Sequence, residues 1–581
     1  QKLPYIKGLG CQAIWISPIF QNGENSYHQY AQTDFTLLDR RLGTIEEFKT
    51  LVAAAHELGI YVIVDVVMNH MANKLYFDGY AKAQAPFRFH ESSDRREYLL
   101  EPGVSELHDT PAGPQPYLDF WYNNTWDPSG RYPGILYGQR GEAVEDYDFG
   151  TYSGSDFHHN GDLIDFYDPF QIHFGKLYGT MDDLRLEHQR VQQKYIAMSK
   201  ALISSCDVDG FRVDTPMQVP LSFYKSWAPA IRDHAKSLGK IGFGIFGEFY
   251  VTPTRYATMT GRGKDQTMYN SNDFIKGPST LKGGIVYSYY WYMFTSFVYK
   301  LPEHADGFAL SYEAEKGMLD IFDSERNRSE YAMWNFCNNH DNWRLQSMTS
   351  PQHMKLCLAV ITFWPGIPLH YAGDEQGFDS PGSALDGWAR EELSTSLAWR
   401  SIRTGDVGNP ADGDNFDMTS PGYRYVARLN ALRRAHFGGF RKEECDNIRW
   451  PSPQIQDVLV FIRGCTKESK VLLLANFHAS EDRHPSVETF WLEGTKLHDI
   501  LQGKQTPIVD SNGSISLTLH PLGVLVLTPI PGKVPPAVTA VYPRHGSVLE
   551  PRGSEQLILS FDRRMRAKAA ESARLDGLPG R

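Results

Sequence analysis

The stretch "GFRVD", Gly210 to Asp214, sets an arginine and an aspartate two residues apart on an apolar strand, so both side chains share one face. An adjacent guanidinium holds a carboxylate ionised and oriented, so Arg212 and Asp214 read as a pair. Three other apolar stretches also end in polar residues. "VIVDVVMNH" ends in Asn69 and His70, "GIFGE" in Glu248, and "WNFCNNHD" in His340 and Asp341. A lone strand-end aspartate is more often a helix cap or turn residue, and a lone His–Asp pair is more often a satisfied hydrogen bond. Four such ends in chain order are much harder to read that way, and their carboxylates and imidazoles suit proton transfer and nucleophilic attack.

The elements that must position them alternate. "GCQAIWISPIF" reads as a buried strand, and "TIEEFKTLVAAAHELGI" as a helix behind a Thr44 cap. "YVIVDVVMNH" is a near-continuous apolar strand of the kind covered on both faces. "GFRV", "GIFGE", "YAMWNF" and "IPLHYAG" follow, with helical stretches such as "EHQRVQQKYIAMSKALISS" between. Repeated strand–helix units predict an α/β fold, a (β/α)8 barrel or a doubly wound sheet. No GxGxxG follows a strand, which weakens the nucleotide-binding version. In a barrel, reactive residues gather at the C-terminal strand ends.

Between His70 and about Leu184 the pattern gives way to Tyr-, Asp-, Gly- and Pro-rich sequence, too long for a plain connector. It reads as an inserted subdomain. Trp121, Trp126 and Tyr152 there suit either sugar stacking or internal packing. Beyond about Phe437 the chain turns all-β, with "VLVFIRG", "KVLLLANFH" and "LGVLVLTP". "PGKVPPAV" reads as a linker, and the tail after it resembles the opening strands of an Ig-like module.

Composition narrows the class. The chain has 581 residues, enough for two or three domains, and a net charge of -11, which argues against a nucleic-acid partner. No apolar run approaches the roughly 18 residues of a membrane span. Aromatic content of 13% suits a stacking ligand such as a sugar or nucleobase, or an aromatic core. The six cysteines show no metal-type spacing. Cys11, Cys206, Cys337 and Cys357 lie in apolar stretches and read as buried thiols, while Cys445 and Cys465 could pair. Sequons at Asn123, Asn327 and Asn512 are compatible with secretion. No signal peptide stands at Gln1, and the absence of an initiating Met suggests an internal or processed piece.

"DVVMNH", "GFRVD", "GE" after an apolar strand, and "NNHD" resemble, in order, the four conserved stretches of glycoside hydrolase family 13, the α-amylase family. "YHQYAQTDF", "GDLIDF" and "PGIPLHYAGDE" resemble three further segments of it. The resemblance runs from Gln1 to about Leu527. Within the family, the layout through "SLAWR" and the Ig-like continuation resemble the amylase-like extracellular region of cell-wall α-1,3-glucan synthases. The implied fold is a (β/α)8 TIM barrel over 1–437 lacking its first strand, with an inserted subdomain after strand 3 at about 71–183. A β-sandwich at 438–530 and a linker with a truncated Ig-like module at 531–581 complete it.

The resemblance also implies roles. Asp214 is the nucleophile, Glu248 the acid/base and Asp341 the third carboxylate of a retaining reaction on α-glucosidic bonds. Arg212 orients Asp214, Asp341 could keep Glu248 protonated, His70 and His340 bind the sugar, and Tyr30 is a platform beneath it. Asp65 matches an internal structural carboxylate. Asn69 and Asp162, with a backbone carbonyl at Gln218, match oxygen ligands for calcium; no organic cofactor is implied. The implied partner is an α-glucan or maltooligosaccharide, and the implied location extracellular or cell-surface.

Two departures stand out. Met217-Gln218 replaces the Lys-His common in starch-degrading relatives, which predicts altered acceptor binding, and so an unusual α-glucan or a transglycosylation bias. The missing first strand predicts exposed sheet edges. Three readings compete: a hydrolase or transglycosylase, a non-catalytic glucan-binding module, and one region of a larger membrane-bound glucan synthase.

Overall fold

Seven parallel strands carry the polar strand ends. They are β1 (Ala13–Ile16), β2 (Tyr61–Val67), β3 (Gly210–Asp214), β4 (Gly244–Phe249), β5 (Gly283–Val286), β6 (Met333–Phe336) and β7 (Ile367–Leu369), paired in chain order. The computed structural model describes residues 2–23, 28–72, 75–77, 136–138, 148–149, 152–153, 156–158, 160–164, 169–177, 181–250, 281, 283–305, 307–313, 333–379, 415–437, 448, 457–464, 470–503, 506–530, 538–542 and 558–561. Among these no pairing joins β1 to β7, so the described sheet is open at both edges.

The helices follow their sequence signals. Helix α2 (Ile45–Glu57) starts at a full capping box, with Thr44 Oγ1 accepting from Glu47 N and Glu47 returning a carboxylate to Thr44 N. Helices α3 (Gln189–Cys206) and α4 (Leu221–Ser237) flank β3, and α5 (Tyr287–Val298) leaves β5 directly. Helix α6 (Pro351–Phe363) precedes β7, and α7 (Pro421–Phe437) lies against α1 (Leu3–Leu9). Tyr423 Oη donates to Tyr5 O and Asn430 Nδ2 to Leu9 O, so the first and last helices of the sheet region are stitched together.

Inside the sheet, register places the site. Arg212 pairs with Asp65 on one side and with Phe246 on the other. Below the charged layer, Phe246 and Trp334 stack at 3.7 Å, and Trp15 meets Phe246 edge-on. Gly210 is required beneath them, because a Cβ there would lie 2.7 Å from the Gly244 carbonyl oxygen.

Strand β5 is absent from the sequence expectation. Its Gly-Gly start and four-residue length run straight into an aromatic helix, leaving too short an apolar run to separate from it.

The C-terminal strands β8 (Val458–Arg463), β9 (Val471–Asn476), β11 (Leu497–Asp499) and β13 (Val524–Pro529) form an antiparallel sheet in the order β8-β9-β13-β11. A pair, β10 (Ser486–Glu488) and β12 (Ser514–Ser516), lies beside it. Alternation explains its continuous apolar strands. Leu459, Phe461, Leu473 and Val526 join the core of the parallel sheet, whereas Val460, Leu472, Leu474 and Leu525 face a second cluster with Trp491 and Ile515. Tail residues Val538–Tyr542 and Ile558–Phe561 pair antiparallel.

Cysteine usage departs from expectation. Cys337 and Cys357 are not separate thiols but a disulfide, joining the end of β6 to α6 twenty residues on. Helix α6 runs back along its strand and brings the two Cα atoms within 6.1 Å, a bridgeable separation. Cys206 is a buried thiol and Cys11 is partly exposed; Cys445 and Cys465 lie outside the described residues. The bridge closes a loop that contains Asn339, His340 and Asp341. Replacing both cysteines by alanine should cost about 2–4 kcal/mol of stability, read as a lower thermal midpoint under non-reducing conditions.

Candidate active site

One buried guanidinium organises the strand ends. Arg212 Nη1 donates to Asp65 Oδ1 and Oδ2 at 3.1 and 3.0 Å and to Asp214 Oδ1 at 2.7 Å, while Nη2 donates to Glu248 Oε2 at 2.6 Å. Its Cζ stands 5.0 Å from the Trp15 ring centroid, a cation–π contact from the layer below. Parallel pairing makes this possible: β2, β3 and β4 are adjacent, and same-face residues at matching heights converge.

Asp65 is fully buried and takes three kinds of donor: Arg212, Tyr30 Oη at 2.7 Å and Trp15 Nε1 at 3.1 Å. Tyr30 is buried too. Its ring stacks on His340 at 5.5 Å between centroids, and its hydroxyl lies 2.9 Å from His340 Nε2. His70 Nε2 sits 3.2 Å from the Tyr30 carbonyl, and burial pulls the His70 imidazole down to about 4, so it is neutral at pH 7. Asp341 Oδ2 lies 3.1 Å from His340 Nε2. Of the three strand-end carboxylates Asp341 is the most open, with 40% side-chain exposure against 18% for Glu248 and 9% for Asp214.

Electrostatics at Asp214 run against expectation. Burial, seconded by the Glu248 and Asp65 carboxylates, pushes the Asp214 carboxyl up to about 8, although Arg212 pulls the other way. One guanidinium shared among three carboxylates does not hold Asp214 ionised by itself. Beyond it the backbone is strained: Thr215 adopts φ 44°, a left-handed conformation that β-branched residues avoid. Gln218 N closes that turn on Thr215 O at 3.1 Å, and Tyr224 Oη donates to Pro216 O. Gln218 is buried, and Met217 is partly exposed.

Sequence reasoning missed two contacts around Glu248. Tyr287 Oη donates to Glu248 Oε1 at 2.7 Å, and Asn339 Nδ2 donates to Tyr287 Oη at 3.1 Å. Tyr287 follows the strand that went unrecognised, so nothing marked it as a strand-end residue.

Near the inserted stretch, Asn69 and Asp162 are both buried. Asp183, a carboxylate the sequence reading did not single out, neighbours the Asn69 side chain, which acts to lower its proton affinity against the effect of burial. Residues Met181–Asp183 pair antiparallel with His70–Ala72, and Leu184 N donates to Asn69 O. His158 Nδ1 and Nε2 lie 2.6 Å from Asp183 Oδ2 and 3.0 Å from Glu187 Oε1. Asp183 Oδ1 is buried without a hydrogen-bond partner. No group of three His, Cys, Asp or Glu side chains gathers with metal geometry among the described residues. The Asn69 amide and the unsatisfied Asp183 oxygen are nevertheless hard oxygen donors of the kind that take calcium when backbone carbonyls complete the shell.

Fold and strand-end site together define an α-amylase-like protein built on a curled parallel sheet. The family described as "Alpha amylase, catalytic domain" matches residues 1–237 and 287–407, and the chain belongs to that family. The chain is 27% identical over 430 residues to the cell wall α-1,3-glucan synthase mok11 of Schizosaccharomyces pombe, covering 69% of this chain and 17% of that protein. To an α-amylase of Streptomyces lividans it is 24% identical over 471 residues, covering 75% of this chain and 46% of the relative. The chain thus spans less than half the length of either relative. Among solved structures, an Anoxybacillus α-amylase superposes with a TM-score of 0.60 at 20% identity, covering 91% of this chain and 90% of that one.

The raised Asp214 proton affinity has a stability consequence. Its folded value, about 8, lies above its unfolded value of about 4. The contribution to stability is therefore complete at pH 4 and is lost as pH rises toward 8. Asp214→Asn, which cannot ionise, should match the wild type in thermal midpoint near pH 4. At pH 8 it should exceed it by about 1 °C for each kcal/mol recovered, the shift expected of a domain this large.

Proposed function

We propose that the chain is a retaining α-glucan-active glycoside hydrolase or transglycosylase, with Asp214 as nucleophile and Glu248 as acid/base. The observation that carries this reading is the Arg212 guanidinium, whose two terminal nitrogens hold Asp214 and Glu248 at 2.7 and 2.6 Å. Carboxylates gathered on one guanidinium suit the ~5 Å separation of a retaining pair. The α-glucan class is taken from what the relatives are named for.

In the first step Asp214 attacks the anomeric carbon as the glycosidic C–O bond breaks, and Glu248 gives its proton to the leaving oxygen. In the second, Glu248 takes a proton from water or a sugar hydroxyl, whose oxygen displaces Asp214. The cluster of three carboxylates on one cation favours retaining a proton near neutrality. Catalysis requires that proton on Glu248, with Asp214 ionised. Tyr30, buried and stacked on His340, is assigned to support the sugar subsite from beneath. The Asp341 carboxylate, the most exposed of the three, is assigned to sugar hydroxyls, and neutral His70 to a further polar contact.

Around this centre, 71–183 is assigned as an inserted subdomain, 438–530 as a β-sandwich and 531–581 as a linker with part of an Ig-like module. Calcium held by Asn69, Asp162 and a backbone carbonyl at Gln218, with Asp183 beside them, would tie the inserted segment to the sheet and take no part in bond cleavage. A location at the cell surface or outside it is supported by relatives named as cell wall synthases.

The alternative is a non-catalytic glucan-binding module of a larger synthase. It is favoured by the share of synthase length matched, 17% and 27% in two relatives. Incubation with soluble starch, maltooligosaccharides and α-1,3-glucan separates the two. Reducing-end or transfer products are expected on at least one substrate, falling by at least about a thousandfold in Asp214→Asn. No product, or equal release by the variant, leaves the binding module. For the metal, calcium should raise the thermal midpoint over a chelated sample, and Asp183→Ala should abolish that rise.

A further inference from the structure

The Glu248 carboxylate has donors on both oxygens, and they come from different places. Arg212, on the neighbouring strand β3, covers Oε2. Tyr287, the first residue of α5, covers Oε1. The direction of the second bond is fixed from behind. Asn339 Oδ1 accepts from the backbone nitrogens of Asp341 and Asn342 at 3.0 and 2.9 Å, so the other end of its amide must point away, toward Tyr287. Its Nδ2 then donates to Tyr287 Oη, leaving the Tyr287 hydrogen for Glu248. The ring that carries this hydroxyl is clamped edge-on by Phe336 at 5.1 Å and by Tyr250 at 5.5 Å.

We infer that Tyr287 is a positioning residue for Glu248, its hydroxyl fixing the carboxyl plane and favouring the ionised form that must accept a proton in the second step. This rests on the role of Glu248 proposed above. Burial and the adjacent carboxylate hold the Tyr287 phenol far above its ordinary range, so it remains a donor at any working pH. The charged groups around the pair are Arg212 and Asp214 from β3, Asp65 from β2 acting through Arg212, and Asp341 from the loop after β6 acting on Tyr287. Among these, Tyr287 is the neutral donor placed directly on Glu248. A sugar is not needed to complete the arrangement.

The relay also joins Glu248 to the loop that bears the third carboxylate. Asn339 grips the backbone of Asp341 and the hydroxyl of Tyr287 with the two ends of one amide. A displacement of that loop on sugar binding would therefore reach the acid/base through two hydrogen bonds.

Tyr287→Phe removes the hydroxyl and keeps the ring contacts. Carbodiimide labelling of Glu248, followed by peptide mass spectrometry across pH, measures protonation without any need for activity. The labelling midpoint should move up by about one pH unit in the variant, with the thermal midpoint near that of the wild type. On a substrate the wild type cleaves, the alkaline limb of kcat/KM should move up by the same amount, kcat should fall and KM should hold. Asn339→Ala should shift the labelling midpoint in the same direction by less, which serves if the first variant does not fold. An unchanged or lower midpoint in Tyr287→Phe overturns the inference. A wild type that yields no product overturns the enzymatic reading instead and leaves the labelling result to decide the role of Tyr287.

Discussion

Arg212 is the cation on which the strand ends depend. A guanidinium with no solvent exposure must be compensated by carboxylates in reach. Here Asp65, Asp214 and Glu248 all lie within hydrogen-bond distance of it, each from a different strand. That requirement ties β2, β3 and β4 together at one height. It also sets the chemistry, because three carboxylates around one cation cannot all be fully compensated. The residual repulsion and the burial both appear in the high proton affinity of Asp214. A site that disfavours its own charged form spends fold stability on reactivity.

The rest of the molecule keeps that cluster in place. Stacked Phe246 and Trp334 form an apolar floor that excludes water from below, strengthening every interaction above it. The Cys337–Cys357 bridge secures the start of the loop carrying His340 and Asp341 to α6. The far end of α6 is held in turn. Arg433 of α7 and Arg463 of β8 donate to the carbonyls of Thr362, Phe363, Trp364 and Gly366, answering the orphan acceptors of a helix C-terminus. The C-terminal sheet is thereby fastened to the element that supports the site, and its apolar strands are buried on both faces as a result.

Legibility followed the physical reach of each signal. Asp214, Glu248, His70, His340 and Asp341 sit at the ends of apolar runs, where a break in hydropathy marks them. Tyr287 follows a strand of four residues beginning Gly-Gly, and no periodic pattern announces so short a run. Asp183 lies in a three-residue strand with the same difficulty. Cys337 and Cys357 are each ordinary in their own stretch. Their pairing depends on how α6 returns along β6, which no local pattern encodes.

By itself the sequence determined which residue types stand at which strand ends, because hydropathy and side-chain alternation are local properties. It determined the alternating α/β organisation and the family for the same reason. The tertiary structure decided which of those ends touch, and how strongly Asp214 holds its proton. Contact and desolvation are properties of the assembled sheet: register brings Arg212 to three carboxylates at once, and burial outweighs the attraction of the arginine at Asp214. The hydroxyl of Tyr287 and the carboxylate of Asp183 acquire meaning in the same way, from neighbours tens of residues distant that only folding brings within hydrogen-bond reach.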